Sequence, residues 1–218
     1  MTEQKTSPYA MSRRRRTGII VLCMLAIVVF VWLDHSPIGS KWRYQPKSEE
    51  RAKANDFQKY HTKTFTVVNV VDGDTIDIDI PDGQYENTRI RLWGIDTPET
   101  KNPNVGVMYF GPEAAEFARK LVLGKPVTVY LDEGNNTRGK YGRLLAYVKL
   151  PNDGFLNEVL LTEGYAYADV RFRHSLYNKY GQLESSARSL KKGLWESVSR
   201  GQLPEWLQRM KPNLQLNK

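Results

Sequence analysis

The sequence predicts an α+β protein, a small five-stranded β-barrel with three attached helices, preceded by one transmembrane helix. Three observations carry this expectation. Two β-branched runs flank Asp72-Gly73-Asp74, three more strand-like runs follow, and three stretches with apolar residues at helical spacing each stop at a glycine. With 218 residues the chain has room for one domain and its flanking segments.

The first segment is the most distinctive in composition. Residues 17–33 are apolar at every position after the first, and at about 1.5 Å per residue such a helix nearly spans a hydrocarbon core of about 30 Å. Arg13, Arg14, Arg15 and Arg16 precede it directly. With Lys5 they outnumber the Lys41, Arg43 and Lys47 that follow, so the positive-inside bias keeps the N-terminus cytoplasmic and exports the remainder. No small-x-small cleavage pattern follows Leu33. A retained single-pass anchor is therefore expected, with secretion after signal cleavage as the alternative. Residues 1–16 form a basic cytoplasmic N-terminus, 34–63 a polar linker broken by Pro37, Gly39 and Pro46, 64–196 the patterned domain, and 197–218 a tail.

Within the domain, residues 66–71 and 75–80 make a hairpin about a tight Asp-Gly turn, and the alternation of isoleucine with aspartate in the second run marks one buried and one wet face. Residues 88–94, 126–131 and 142–150 complete five strands. The first helix runs from Gly111-Pro112-Glu113 through Ala114, Phe117, Ala118, Leu121 and Val122, with proline at its start and Gly124 at its end. A second covers 156–163 before Gly164. A third carries Leu183, Ala187 and Leu190 and closes at Gly193, with Leu194 and Trp195 folding back. Three strands, a helix, two strands and two helices are compatible with an OB-like barrel.

Composition narrows the chemistry. The formal charge is +8, yet residues 64–196 alone sum to −2, so the positive excess belongs to the flanks and suits anionic lipid or nucleic acid there. Cys23 is the only cysteine, which excludes an intrachain disulfide and a cysteine-based zinc site, and there are only three histidines. Nothing calls for an obligate protein partner, and a monomer is expected.

Nearly all the candidate chemistry lies in four pieces: Asp72-Gly73-Asp74-Thr75, the run from Arg91 to Glu99, Lys140-Tyr141-Gly142-Arg143, and the loop from Lys101 to Phe110. Together with the spacing from Thr97-Pro98-Glu99-Thr100-Lys101 to Tyr109-Phe110-Gly111-Pro112-Glu113-Ala114, these make residues 67–195 resemble the thermonuclease, or staphylococcal-nuclease-like, family. The resemblance implies a Ca²⁺-dependent nuclease acting on DNA or RNA. It assigns Asp74, Asp96 and the Thr97 carbonyl to the metal, with Asp72 bracing them from behind. It gives Glu99 the attacking water, Arg91 the phosphate, and Arg143 the developing charge. Lys140 and Tyr141 fit a phosphate-contacting pair.

The residue types suit these roles. Carboxylates with a carbonyl and water hold a hard, flexibly coordinated cation, and guanidinium forks bind two phosphate oxygens at once. Spacing alone does not separate Arg89 from Arg91, which share one strand face. The sequence departs from the family pattern after Gly164, where two base-flanking tyrosines are common. Here Val170 and Phe172 stand instead, and only Phe172 can stack on a base. A catalytically inactive module that binds nucleic acid or protein at a membrane is the rival reading.

Overall fold

The computed structural model describes residues 13–35, 48–100 and 106–216. It separates into a unit of residues 1–47 and a compact unit of 48–218. In the first, α1 (Arg13–His35) is a helix whose apolar side chains between Ile19 and Val29 are exposed. The transmembrane helix expected over 17–33 is not borne out. Among the described residues, which leave out the side chains of 30–35, no helix is long and apolar enough to cross a membrane.

The compact unit is built on a closed barrel of five strands: β1 (Thr64–Asp72), β2 (Thr75–Ile78), β3 (Thr88–Leu92), β5 (Pro126–Tyr130) and β6 (Leu144–Lys149). Around the barrel they run β1-β2-β3-β6-β5, with β5 closing back onto β1 and β3 pairing β6 in parallel. Two register irregularities in β1 let this long strand bend to serve both neighbours. Inward-facing Val67, Val70, Ile76, Ile78, Ile90, Leu92, Val127, Val129, Leu144, Ala146 and Val148 are all buried and fill the barrel. The alternation expected in β2 is modified at Asp77. It is buried because Arg89 covers it with two hydrogen bonds, at 2.7 and 3.0 Å, and Asn69 adds a third at 3.0 Å.

The three expected helices appear as α3 (Gly111–Val122), α4 (Leu156–Thr162) and α5 (Tyr177–Ser189). A short ribbon of β4 (Ile95–Asp96) and β7 (Tyr167–Ala168) stands outside the barrel. Asn157, fully buried on α4, accepts the Val148 N–H at 3.0 Å and donates to the Trp93 carbonyl at 3.0 Å. One amide thus ties helix, barrel and the exit of β3 together. Gly164 has φ +75 and lies so close to the Lys192 carbonyl that a Cβ would come within 2.1 Å of its oxygen. Only glycine permits the end of α4 to pass the end of α5.

The folded unit reaches beyond 64–196 at both ends. Helix α2 (Ser48–Tyr60) lies in what the sequence presents as linker, and Tyr60 is fully buried with its hydroxyl on Thr88 at 3.0 Å. Asp56 accepts from Thr137 and twice from Arg138, at 2.6, 2.8 and 2.6 Å. At the other end α6 (Glu205–Met210) buries Trp206 and Leu207 in a second apolar cluster with Tyr167, Ala187, Leu194, Trp195, Val198 and Leu203. Leu190, expected on the buried stripe of α5, is exposed.

Asp132 links the end of β5 to the start of α5, accepting from the Tyr147 hydroxyl and the Ser175 N–H, each at 2.8 Å. Burial pushes its carboxyl up, but these donors outweigh that and hold it at about 2, against 3.8 in the unfolded chain. A depressed acid stabilises the fold in full above the ordinary carboxylate range. Its contribution disappears as pH falls from about 4 through 2. Asp132→Asn is expected to lower the urea midpoint at pH 7, with the difference from wild type shrinking toward zero near pH 2. A difference independent of pH would contradict this account.

Candidate active site

The β1–β2 turn, the end of β3 and the short β4 strand meet at one edge of the barrel. In the hairpin Asp72 faces Thr75, leaving Gly73 and Asp74 as the turn. Asp74 is buried, and both its oxygens are occupied. Thr75 Oγ1 donates to Oδ1 at 3.0 Å, while the Thr97 N–H and hydroxyl donate to Oδ2 at 2.8 and 3.0 Å. These bonds pin the turn to the segment that follows β4.

Register selects between the two arginines of β3. Arg91 lies opposite Thr75 on one side and Leu145 on the other, while Arg89 lies opposite Asp77. Arg89 is exposed and committed to Asp77. Arg91 is largely buried, and its guanidinium forms ion pairs with both Asp74 and Asp96. The chain turns between β3 and β4 at Gly94, where φ is +78 and a Cβ would meet the His174 ring at 2.5 Å. The bend brings Asp96 back against Arg91 only five residues later.

Asp96 carries contacts that sequence spacing does not anticipate. Pairing of Asp96 with Tyr167 across the β4–β7 ribbon delivers the Asp169–Arg171 loop to its side. Arg171 reaches Asp96 Oδ1 at 3.2 Å while also donating to both oxygens of Asp169 at 2.8 Å. The indole N–H of Trp206 donates to Asp96 Oδ2 at 2.7 Å. Asp169, Arg171 and Trp206 are thus site residues that the sequence reading did not assign. The spacing of Trp206, Leu207 and Met210 after Pro204-Glu205 was the available helix signal.

Asp72 stands behind the turn, accepting from the Gly73 N–H at 2.8 Å and the Thr100 hydroxyl at 3.0 Å. Burial first and the Asp74 charge second push its carboxyl up to about 6. Burial and the neighbouring Asp74 charge thus make a second anion at this turn costly. Glu99 is partly buried on the loop after β4, where its carboxylate accepts the Thr100 N–H at 3.2 Å and its carbonyl the Met108 N–H at 2.8 Å. Residues 101–105 of the loop singled out from the sequence lie outside the described residues.

Lys140, Tyr141 and Arg143 cluster at the turn entering β6. Lys140 Nζ is 4.6 Å and the Arg143 guanidinium 5.6 Å from the Tyr141 ring centroid, and Tyr141 is strongly exposed. Among the described residues Arg143 has no ion-pair partner, and burial with the charge of Arg91 lowers its pKa. A half-buried, unpaired guanidinium facing a carboxylate-lined site is poised for an external anion. Phe172 is half exposed and lies 5.9 Å from the Trp93 ring, on a different part of the rim.

Among the described residues no group of three or more His, Cys, Asp or Glu side chains is placed to hold a metal ion. Asp74 and Asp96 nevertheless fit a hard cation by donor chemistry. Both are oxygen ligands, both face the same guanidinium, and no nitrogen or sulfur ligand of a softer metal stands among them. Arg91→Met is expected to leave Asp74 without its ion pair and Asp96 with Arg171 alone, and to cost about 3 kcal/mol of stability in metal-free solution at neutral pH. Urea unfolding measures it, and a loss under about 0.5 kcal/mol would show that the triad is not what compensates these anions.

A family model described as Staphylococcal nuclease homologue matches residues 89–197. The chain is 34% identical over 184 residues to the thermonuclease of Staphylococcus hyicus, covering 83% of this chain and 97% of that protein. It is 38% identical over 181 residues to the thermonuclease of Staphylococcus intermedius, covering 83% and 96%. It is also similar to the SPbeta prophage-derived endonuclease YokF of Bacillus subtilis (strain 168), 38% identical over 132 residues, covering 60% and 43%.

Proposed function

Because the chain belongs to the staphylococcal nuclease homologue family, we propose that it is a nuclease that hydrolyses phosphodiester bonds of DNA or RNA with the help of Ca²⁺. The observation that carries this reading is the Arg91 guanidinium held between Asp74 and Asp96, with Arg143, which has no ion-pair partner among the described residues, close enough to feel the charges of Arg91 and Asp74. Asp74, Asp96 and the Thr97 carbonyl would hold a calcium ion, which would supply positive charge at the phosphoryl group.

The protein's own groups supply the rest. Glu99 accepts the proton of the attacking water, Arg91 clamps a phosphate oxygen, and Arg143 meets the charge that builds toward the leaving oxygen. Arginine suits both positions because its planar fork stays charged and binds two oxygens at once. Lys140 and Tyr141 hold the neighbouring phosphate, and Phe172 offers a face to a base.

Digestion of plasmid DNA and of RNA by the purified protein tests the reading. Cleavage is expected with Ca²⁺, lost with chelator, and not restored by Mg²⁺. Robust cleavage in Mg²⁺ alone, unaffected by a calcium-selective chelator, would overturn the calcium assignment. Glu99→Gln and Arg143→Lys are each expected to lower turnover by at least about 100-fold with modest loss of substrate binding. Near-normal turnover in both would favour a binding module instead.

We also propose a location. The apolar run of residues 17–33 taken whole, which extends past the stretch of α1 whose side chains are described, holds the enzyme at a membrane, with its N-terminus cytoplasmic and the nuclease domain exported to where free Ca²⁺ is plentiful. Arg13–Arg16 and the exposed apolar side chains of α1 support this. Protease shaving of intact cells, with an N-terminal tag and membrane fractionation, checks it. The expected result is digestion from outside with the tag in the membrane pellet. A protected domain reverses the topology, and a soluble product beginning after Leu33 means a cleaved signal.

A further inference from the structure

Asp96 divides its two oxygens. Oδ1 faces Arg91 and the Asp74 side, and Oδ2 accepts the Trp206 indole N–H at 2.7 Å. Trp206 is 110 residues away in sequence and lies beyond residue 197, where the family match ends. Its ring is buried, and the Arg171 guanidinium lies 4.4 Å from the centroid. Arg171 in turn is locked by both oxygens of Asp169.

The segment carrying Trp206 is itself fastened. Leu207 is fully buried in the second apolar cluster, Gln208 donates to the Leu203 carbonyl at 2.7 Å, and Lys211 pairs with the buried Glu184 of α5 at 2.8 Å. An indole held this rigidly offers one N–H in one direction. Arg91 and Arg171 sit on Oδ1 of Asp96, and the indole N–H is the contact on Oδ2, so the plane of this carboxylate is held from both sides and Trp206 supplies the side away from the guanidinium groups.

We propose that Trp206 is a positioning residue for the cation site. By holding Oδ2 of Asp96, it presents Oδ1 to a divalent cation shared with Asp74, so the C-terminal helix is part of the active site. This rests on the calcium reading above. Hydrogen bonds that orient metal ligands typically change metal affinity by about 10–100-fold when removed. The aromatic ring over Arg171 contributes packing that phenylalanine largely keeps. The N–H is what phenylalanine lacks.

The test is calorimetric titration of the full-length, chelator-treated protein with CaCl₂. Trp206→Phe is expected to bind Ca²⁺ about tenfold more weakly than wild type, and Trp206→His, which restores a ring N–H, to stay within about threefold. Thermal midpoints measured without cation report whether each variant is folded. Phe binding as tightly as wild type overturns the inference, and so do equal losses in Phe and His, which would assign the effect to ring packing. A wild type that binds no Ca²⁺ overturns the calcium reading and this inference with it. Tight wild-type binding with an unchanged Phe variant overturns this inference alone.

Discussion

The Arg91 guanidinium between Asp74 and Asp96 is the interaction on which the arrangement of the barrel edge depends. Two carboxylates brought together out of bulk water repel one another by about 4 kcal/mol at 4 Å when the effective dielectric constant is about 20. A cation between them converts that repulsion into attraction. It must be planar and doubly donating to serve both at once, which a lysine ammonium on a flexible stem does poorly. The three residues arrive from a turn, a barrel strand and an outer ribbon, so the triad also fixes how those elements meet.

Strand register places the cation. Arg91 faces Thr75 across the β2–β3 pair and Leu145 across the parallel β3–β6 pair, next to the turn that carries Asp74. A slip of one residue would turn Arg91 to the opposite face and bring a β3 isoleucine out of the core. Apolar packing inside the barrel therefore holds an electrostatic arrangement on its edge. Asp96 depends on other restraints: the left-handed turn at Gly94, the Asn157 amide on the Trp93 carbonyl, and the hydrogen bond from the Asp169 N–H to the Gly94 carbonyl at 2.9 Å.

Much of this was legible because it is local. The hairpin about Asp72-Gly73-Asp74 follows from β-branched runs flanking a turn dipeptide, and the proline and glycines around the three helices mark their ends. The choice of Arg91 over Arg89 was not legible from spacing, since both lie on one face. The structure distinguishes them by their partners, Asp77 for Arg89 and Asp74 with Asp96 for Arg91. Helices α2 and α6 were read as linker and tail for the same reason. Their sequences are polar on average, and their few anchors, Asp56 and Tyr60 in one and Trp206 and Leu207 in the other, bind partners remote in the chain. Their importance lies in long-range pairing, for which a window of neighbouring residues carries little signal.

The same long-range pairing bears on how a strand of nucleic acid would be recognised. Residues 170–172 are the stretch in which the resemblance implies base-flanking aromatic residues, but Arg171 is turned inward, onto Asp96, Asp169 and the Trp206 ring. Val170 packs against the second apolar cluster, so Phe172 with Trp93 beneath it is left as the outward aromatic surface of this loop. Lys140 and half-buried Arg143 then supply cationic contacts beside the exposed Tyr141 ring, and their chemistry suits phosphate. Contacts to phosphate position a strand without reading its bases. A loop that spends its arginine on Asp96 and Asp169 and leaves one phenylalanine outward offers a strand a single stacking face, so binding through Lys140 and Arg143 would be sequence-tolerant, mainly electrostatic and weakened by salt.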